Sequence, residues 1–281
     1  IEENASGPFF LFLHYWQTHP PYFYRYSKDS WYRGKDEVVD LLRGGKKGRD
    51  IIQTRYAHSV ERFSEEFLEA VVDCLSRRGI LDDTLIVITG DHGESFGERL
   101  RRPETLSDIF AMHGESLYDE VLRVPLILAG PCVPKAKSIS SQVRSVDIYA
   151  TLLDVTGGGN EIPSGLDSLS LRTLWESKEK EHRLAISSTT YAYFPQEDSS
   201  QAFSLYAVRD GTWKLIFDKK KERVELYHIK KDLYEKRNVA QRYPHHVQRL
   251  KDILTQQVTF TEYSESDKEA IKEQLESLGY L

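Results

Sequence analysis

Two side chains that can bind a metal ion stand next to each other at Asp91 and His92, between Gly90 and Gly93. Aspartate oxygens and imidazole nitrogens are both common ligands of divalent cations. The flanking glycines let the backbone turn sharply and let a ligand approach closely. The pattern predicts a metal site at Asp91 and His92, and a plain polar turn after a strand is the alternative interpretation.

The residues just before this pair, Leu85 to Ile88, are a short run of apolar and β-branched side chains. The length of the run and the glycine after it favour a strand that is buried on both faces. In open α/β sheets, ligands bind beyond the carboxyl ends of parallel strands. We therefore expect Asp91 and His92 to lie at an edge of a sheet where such folds place their active sites.

A second apolar run, residues 8–15, leads into a loop that contains His19, Pro20 and Pro21. The prolines end the run and stiffen the loop. We predict a second buried strand here, so that His19 also follows the carboxyl end of a strand. His14 falls inside the run and is interpreted as a core or edge histidine.

The segment between these two runs has the pattern of an amphipathic helix. Apolar residues recur every three or four positions from Asp50 to Arg78, with Asp50 as a candidate N-cap and Gly79 as the stop. Strand, helix and strand in this order form a βαβ unit, which predicts that the two strands are parallel.

A third buried strand is predicted at residues 124–129 and a short helix at residues 146–155. The composition then changes at a charged run, residues 178–182. We predict a division there, with residues 1–180 forming part of a larger α/β domain and residues 181–281 a small α+β subdomain.

The second part of the chain has the pattern of a small antiparallel sheet with helices. Its predicted strands are residues 184–190, 202–209, 212–218 and 224–229. Arg209-Asp210-Gly211 between two of them is a strong hairpin signal. Helices are predicted at about 244–257 and 264–278. The overall fold class is α/β, with a mixed, mainly parallel sheet flanked by helices, followed by this smaller antiparallel sheet.

The bulk composition excludes some classes of protein. The chain has 281 residues and a formal net charge of −6 with both signs mixed, so nucleic acid is not an expected partner. No apolar run approaches the roughly 20 residues of a membrane span. The two cysteines, Cys74 and Cys132, predict no disulfide framework and do not resolve the cellular compartment.

Several separate segments carry a family resemblance when they are taken together. They are FFLFLHY and HPPY in 9–22, LDDT and GDHGE in 81–94, HGESLYDE and RVPLI in 113–127, VDIYATLL in 146–153, VRDGTWK and ELY in 208–227, and LGYL in 278–281. In this order they resemble the C-terminal part of a sulfatase, a member of the alkaline phosphatase-like superfamily. The resemblance implies metal-dependent hydrolysis of a sulfate ester, carried by an anionic small molecule or glycan.

The resemblance also implies roles for four residues. Asp91 and His92 would supply part of the shell of a divalent cation, usually Ca²⁺, although imidazole suits Mn²⁺ or Zn²⁺ better. His19 would bind the sulfate or meet the nucleophile. His113 stands where many relatives have a lysine that contacts the sulfate, and a histidine there can still donate a hydrogen bond.

One part of the family pattern is missing from these 281 residues. Sulfatases use a formylglycine made from a Cys/Ser-x-Pro/Ala-x-Arg motif, which lies with two further acidic metal ligands in the N-terminal half. Cys132-Val133-Pro134 begins in a similar way but lacks the arginine, and is interpreted as a loop. The expectation is a C-terminal portion whose partner is the missing N-terminal half of the same enzyme, and which is inactive alone.

Two other readings stay open. Phosphonate or phosphodiester hydrolases and phosphoethanolamine transferases of the same superfamily resemble the same Asp-His-Gly and His-Gly pattern. A sulfatase-like module without catalytic activity is the second alternative. The residues that precede Ile1 would separate these readings, because a Cys-x-Pro-x-Arg segment favours a sulfatase and a threonine nucleophile favours a transferase.

Overall fold

The computed structural model describes residues 7–20, 22, 37–38, 40–99, 113–114, 116–158, 162–176, 183–189 and 205–258. The predicted helix at 264–278 and the C-terminal LGYL segment lie outside the described residues. Within these ranges, no helix combines the length and the apolar character needed to cross a membrane.

A long helical rod follows helical residues at 37–38 and 40–43. It consists of α1 (Lys46–Arg62), a π-helical segment (Phe63–Leu68) and α2 (Glu69–Arg77), which confirms the predicted helix. The rod begins four residues before the predicted cap at Asp50, after Gly45 with φ 67°. At its end Gly79, also at φ 67°, and Ile80 return their N–H groups to the last helical carbonyls, as in a Schellman motif.

Two strands form the sheet that carries the candidate site. They are β1 (Ile86–Thr89) and β2 (Leu126–Ala129), and they pair antiparallel, with Thr89 opposite Leu126. The expectation that both strands are fully buried is wrong, since β1 is only partly buried and Ile127 of β2 is 55% exposed.

The predicted strand at residues 8–15 is also wrong. Residues 7–14 do not form a strand, and Phe10 is 80% exposed. A strand needs a neighbour that takes up its backbone N–H and C=O groups, and among the described residues β1 pairs with β2 instead. The parallel pair expected between residues 8–15 and β1 is therefore absent from the described part of the chain.

Within its described residues, this part of the chain also contains three short helices. They are α3 (Asp119–Leu122), α4 (Asp147–Val155) and α5 (Arg172–Trp175), and α4 confirms the helix predicted at 146–155. The single turn α3 packs against the loop that follows β1, where the Gly93 N–H donates to the Val121 carbonyl at 2.6 Å.

The four predicted C-terminal strands are confirmed as an antiparallel sheet in sequence order. They are β3 (Ala185–Thr189), β4 (Leu205–Arg209), β5 (Trp213–Asp218) and β6 (Arg223–His228). After a 3₁₀ turn at Ala240–Arg242, helix α6 (Pro244–Gln257) packs Leu250 and Leu254 against one face of this sheet.

A buried group of charges joins this sheet to α3. The Lys214 ammonium of β5 lies 2.8 Å from Asp119 and 2.7 Å from Glu235, and Arg209 donates to the other Asp119 oxygen at 2.7 Å. The Lys214 side chain is 1% exposed and that of Glu235 is 0% exposed. Buried charges are tolerated only when they are paired, so this network fixes the position of α3 relative to the sheet.

Candidate active site

The loop after β1 presents Asp91 and His92 at the carboxyl end of that strand. The Asp91 Oδ1 atom accepts the His92 backbone N–H at 2.9 Å. His92 Nδ1 lies 2.7 Å from the Gly93 carbonyl, which can only accept, so Nδ1 carries the proton and Nε2 keeps its lone pair. Nε2 lies 3.8 Å from Asp91 Oδ2, and the two atoms can therefore bind the same ligand.

Glycine is required at position 93 by the close approach of α3. A Cβ atom there would lie 2.2 Å from the Glu120 carbonyl oxygen, far inside van der Waals contact. The loop can therefore pass directly beside α3, and the hydrogen bond from Gly93 to Val121 holds it there.

Glu94 and His113 form a carboxylate–imidazole pair. His113 Nδ1 donates to Glu94 Oε1 at 3.0 Å, and the Tyr22 hydroxyl donates to Glu94 Oε2 at 2.9 Å. The Glu94 side chain is only 5% exposed. The His113 ring stacks on His92 with 4.2 Å between ring centroids, so the pair is held against the candidate metal ligand.

His19 sits in a turn that is closed by hydrogen bonds from its own N–H to Trp16 and from Tyr22 N–H to its carbonyl. Its ring stacks on Trp16 at 4.6 Å and meets the His113 ring edge-on at 5.2 Å. Burial lowers the pKa of His19 to about 4, although the Pro20 carbonyl and Glu94 oppose this effect. Nδ1 donates to Pro20 at 2.9 Å, so at neutral pH Nε2 is an acceptor.

All four residues singled out from the sequence, His19, Asp91, His92 and His113, are brought together. His19, Asp91 and His92 line a cavity of about 60 Å³, room for about two water molecules, and His113 stacks on His92. Glu94 belongs to the Asp-His-Gly-Glu motif, but no role was predicted for it from the sequence. The feature that could have indicated a role is its carboxylate, three residues after the candidate ligand Asp91 in a glycine-flanked loop.

The fit of a metal ion to this site is partial. Asp91 Oδ2 and His92 Nε2 lie 3.8 Å apart. At this separation both atoms can bind one divalent ion, each at roughly 2.0–2.2 Å. Among the residues that the structure describes, however, no group of three His, Cys, Asp or Glu side chains converges on one point. The described residues thus fit part of a metal shell.

Cys132 lies in the loop after β2, where its thiol is free and the residue is exposed, which agrees with the loop interpretation. Because β1 and β2 are antiparallel, the end of β2 lies beside the start of β1. Cys132 is therefore at the opposite end of this sheet from Asp91, and is not placed to act as the nucleophile of the candidate site.

Comparison with known proteins identifies the family. Residues 1–158 match the family described as Sulfatase, and residues 113–262 match the family described as N-sulphoglucosamine sulphohydrolase, C-terminal. The first match covers more than half of the chain. The chain belongs to the sulfatase family.

Individual relatives agree with this assignment. The chain is 28% identical over 222 residues to arylsulfatase K of Xenopus laevis, covering 78% of this chain and 39% of that protein. It is 28% identical over 214 residues to the N-acetylglucosamine-6-O-sulfatase of Bacteroides thetaiotaomicron, covering 72% of this chain and 36% of that protein.

A solved structure confirms the α/β fold class. The structure of a 2-O GAG sulfatase superposes with a TM-score of 0.63 at 22% identity, covering 78% of this chain and 46% of that chain. The chain spans less than half the length of each of these three proteins.

Proposed function

We propose that the protein hydrolyses sulfuric esters of an anionic glycan or related small molecule, and that His19, Asp91, His92 and His113 form its active site. The observation that carries the proposal is the contact of three imidazole rings around the Asp91 loop, in a chain of the sulfatase family. The names of the relatives, which include an N-acetylglucosamine-6-O-sulfatase, support a sulfated glycan as the substrate class.

His113 is proposed as the hydrogen-bond donor to the sulfate or to the leaving oxygen. Glu94 holds Nδ1, so that a second proton on Nε2 gives an imidazolium whose charge the carboxylate stabilises. A charged donor of this kind stabilises the negative charge that develops on the leaving oxygen in the transition state. Glu94 is a positioning residue, because it acts through His113.

His19 is proposed to accept a proton rather than to bind sulfate. Its Nδ1–H group donates to the Pro20 carbonyl, and the neutral ring presents the Nε2 lone pair. A lone pair repels a sulfate oxygen but accepts the proton of a hydroxyl nucleophile. Of the two roles that the resemblance left open, the tautomer therefore supports contact with the nucleophile.

Asp91 and His92 are proposed as two ligands of a divalent cation, with Ca²⁺ first and Mn²⁺ or Zn²⁺ as alternatives. When bound, such a cation would neutralise charge on the group being transferred. We also propose that the nucleophile and the other ligands come from an N-terminal half outside these 281 residues, since the matches cover only 39% and 36% of two relatives. The domain division near residue 180 remains a proposal.

Turnover of 4-nitrophenyl sulfate tests this function in the natural protein, in which these 281 residues are joined to the proposed N-terminal half. We expect activity that is lost with EDTA and restored by Ca²⁺ or Mn²⁺. Asp91→Ala should lower kcat by at least about a hundredfold, because it removes a ligand. Asp82→Ala is the matched control, since Asp82 is an exposed aspartate in the 3₁₀ turn before β1. Faster turnover of a phenyl phosphonate ester than of the sulfate would contradict the proposal.

A further inference from the structure

A second cavity lies beside the candidate active site and has a cationic wall. Its volume is about 200 Å³. Helix α1 lines one side, and the segment before and after His19 lines the other. The lining side chains that matter here are Arg55, His58, Arg62, Tyr15, Gln17 and Tyr22.

The two cavities share a wall. Tyr15 lines both of them, and the Tyr22 hydroxyl reaches from the second cavity to Glu94 of the active site at 2.9 Å. A ligand that occupied both cavities would therefore extend past Tyr15. This arrangement is that of neighbouring subsites for one extended molecule.

The charge of the second cavity suits an anion. Arg55, His58 and Arg62 recur at three and four positions and so share one side of α1. The lining, within the described residues, includes no carboxylate. Glu37 pairs with Arg55 at 2.7 Å and Glu66 with Arg62 at 2.9 Å, but both glutamate side chains are 47% exposed. Ion pairs of this exposed kind are weak, so an anion can compete with both glutamates for the two guanidinium groups.

The size of the cavity limits what it can hold. About 200 Å³ is the share of roughly seven water molecules, and is below the roughly 300–1,000 Å³ of sites that enclose whole drug-sized ligands. It has room for one anionic group and part of a sugar ring. The two tyrosines supply flat, amphipathic walls that suit such a ring.

We infer that this cavity is a subsite for a second anionic group, a sulfate or a carboxylate, on the glycan whose target ester lies at His19. The identity of this ligand rests on the proposed function. The subsite predicts that the protein prefers glycans with at least two negative groups over esters with one.

A comparison of two substrates in the natural protein tests the subsite. Glucosamine 2-N,6-O-disulfate has two anionic groups, and 4-nitrophenyl sulfate has one. The double variant R55Q/R62Q should raise KM for the disulfate by about tenfold to a hundredfold, because charged hydrogen bonds are lost. Its kcat/KM for the aryl sulfate should stay within about twofold. An equal loss on both substrates would overturn the inference.

The control is K46Q/K47Q, which removes the same charge from exposed positions of the same helix. If K46Q/K47Q raises KM for the disulfate as much as R55Q/R62Q does, the inference is also overturned. If R55Q/R62Q fails to fold, R62Q alone replaces it, since Arg62 is 40% exposed. R62Q should show the same selective rise in KM at a smaller size, and an unchanged KM would contradict the subsite.

Calorimetric binding of the disulfate separates this inference from the proposed function. If the natural protein hydrolyses neither sulfate ester, the proposed function fails. In that case, binding that is lost in R55Q/R62Q and retained in K46Q/K47Q still supports an anion subsite. Absent binding in the unmodified protein, or equal binding in both variants, would overturn it.

Discussion

Lys214 of β5 lies 2.8 Å from Asp119 of α3, and both side chains are buried. The pair links the C-terminal sheet to the turn whose Val121 carbonyl holds Gly93 of the candidate active-site loop. Support for the site therefore comes from residues that follow it by more than 90 positions in the chain. This dependence makes the network the first target for a stability measurement.

Lys214→Met should strongly destabilise the protein. It leaves the Asp119 and Glu235 carboxylates buried without their shared cation, and breaking a buried pair in this way costs about 3–5 kcal/mol. Urea unfolding measures the change. Lys220→Met is the control, because Lys220 is exposed, and it should change stability by less than about 0.5 kcal/mol. Equal stability of the two variants would show that the network is not stabilising.

Glu94→Gln should lower kcat more than it raises KM. The amide can still accept the His113 proton, but it no longer stabilises a charged imidazolium. We expect a loss of about ten- to a hundredfold in kcat for a sulfate ester. Tyr22→Phe removes only the second hydrogen bond to Glu94 and should cost less than about tenfold. A Tyr22 variant that is more impaired than the Glu94 variant would contradict the assigned order of importance.

The stability of the protein should fall between pH 6.5 and pH 4 because of His19. The pKa of His19 is about 4 in the folded chain against 6.5 for a free histidine, so the unfolded chain binds more protons in this window. The contribution of His19 to the free energy of unfolding is complete above pH 6.5. It falls by up to about 3 kcal/mol as the pH decreases to 4. Thermal unfolding from pH 4 to 7 measures it. His19→Gln should flatten this part of the curve, and an unchanged slope would argue against burial of the neutral ring.

Gly93→Ala should unfold the active-site loop or destabilise the whole protein. The added methyl group would meet the Glu120 carbonyl at 2.2 Å, and the neighbouring backbone must move. Overpacking of this kind costs about 1–3 kcal/mol or more. Gly7→Ala is the control, since a Cβ there meets nothing within 4 Å. Thermal unfolding compares the two variants, and an equal melting temperature would contradict the close packing of this loop on α3.

The isolated 281-residue chain should not turn over an aryl sulfate, with or without Ca²⁺ or Mn²⁺. Asp91 and His92 supply two metal ligands, and the described residues contain no group of three His, Cys, Asp or Glu side chains that could hold a metal ion. Two ligands are too few to compensate for the water molecules that the ion loses on binding. The assay compares the chain with its Asp91→Ala variant. Metal-dependent turnover that disappears in the variant would show that these residues suffice.

Local interactions explain which parts of the fold could be predicted. The β4–β5 hairpin follows from Asp210, whose carboxylate accepts the N–H groups of Thr212 and Trp213, and from Gly211 at φ 85°. These contacts span three residues, so the sequence displays them directly. The sequence also predicted that His19 lies near Asp91, although the strand at residues 8–15 on which that prediction was based does not form.

Long-range pairing explains what could not be predicted. The apolar run at residues 8–15 has high strand propensity, but propensity does not say whether a neighbouring strand is present. Tyr22 and Glu94 meet across 72 positions through a single hydrogen bond, and no periodicity indicates such a contact. The role of Glu94 therefore became visible only in three dimensions.

The π-helical segment Phe63–Leu68 has an effect on the shape of the substrate wall. Phe63 and Phe67 of this segment stack at 5.8 Å, and Tyr15 rests against both rings at 5.1 Å. In a regular helix each residue advances the winding by about 100°, so removing one residue here would rotate these rings relative to α1. Tyr15 separates the two cavities. If the two cavities hold two anionic groups of one substrate, as proposed, the number of residues in this helical segment sets the spacing between those groups.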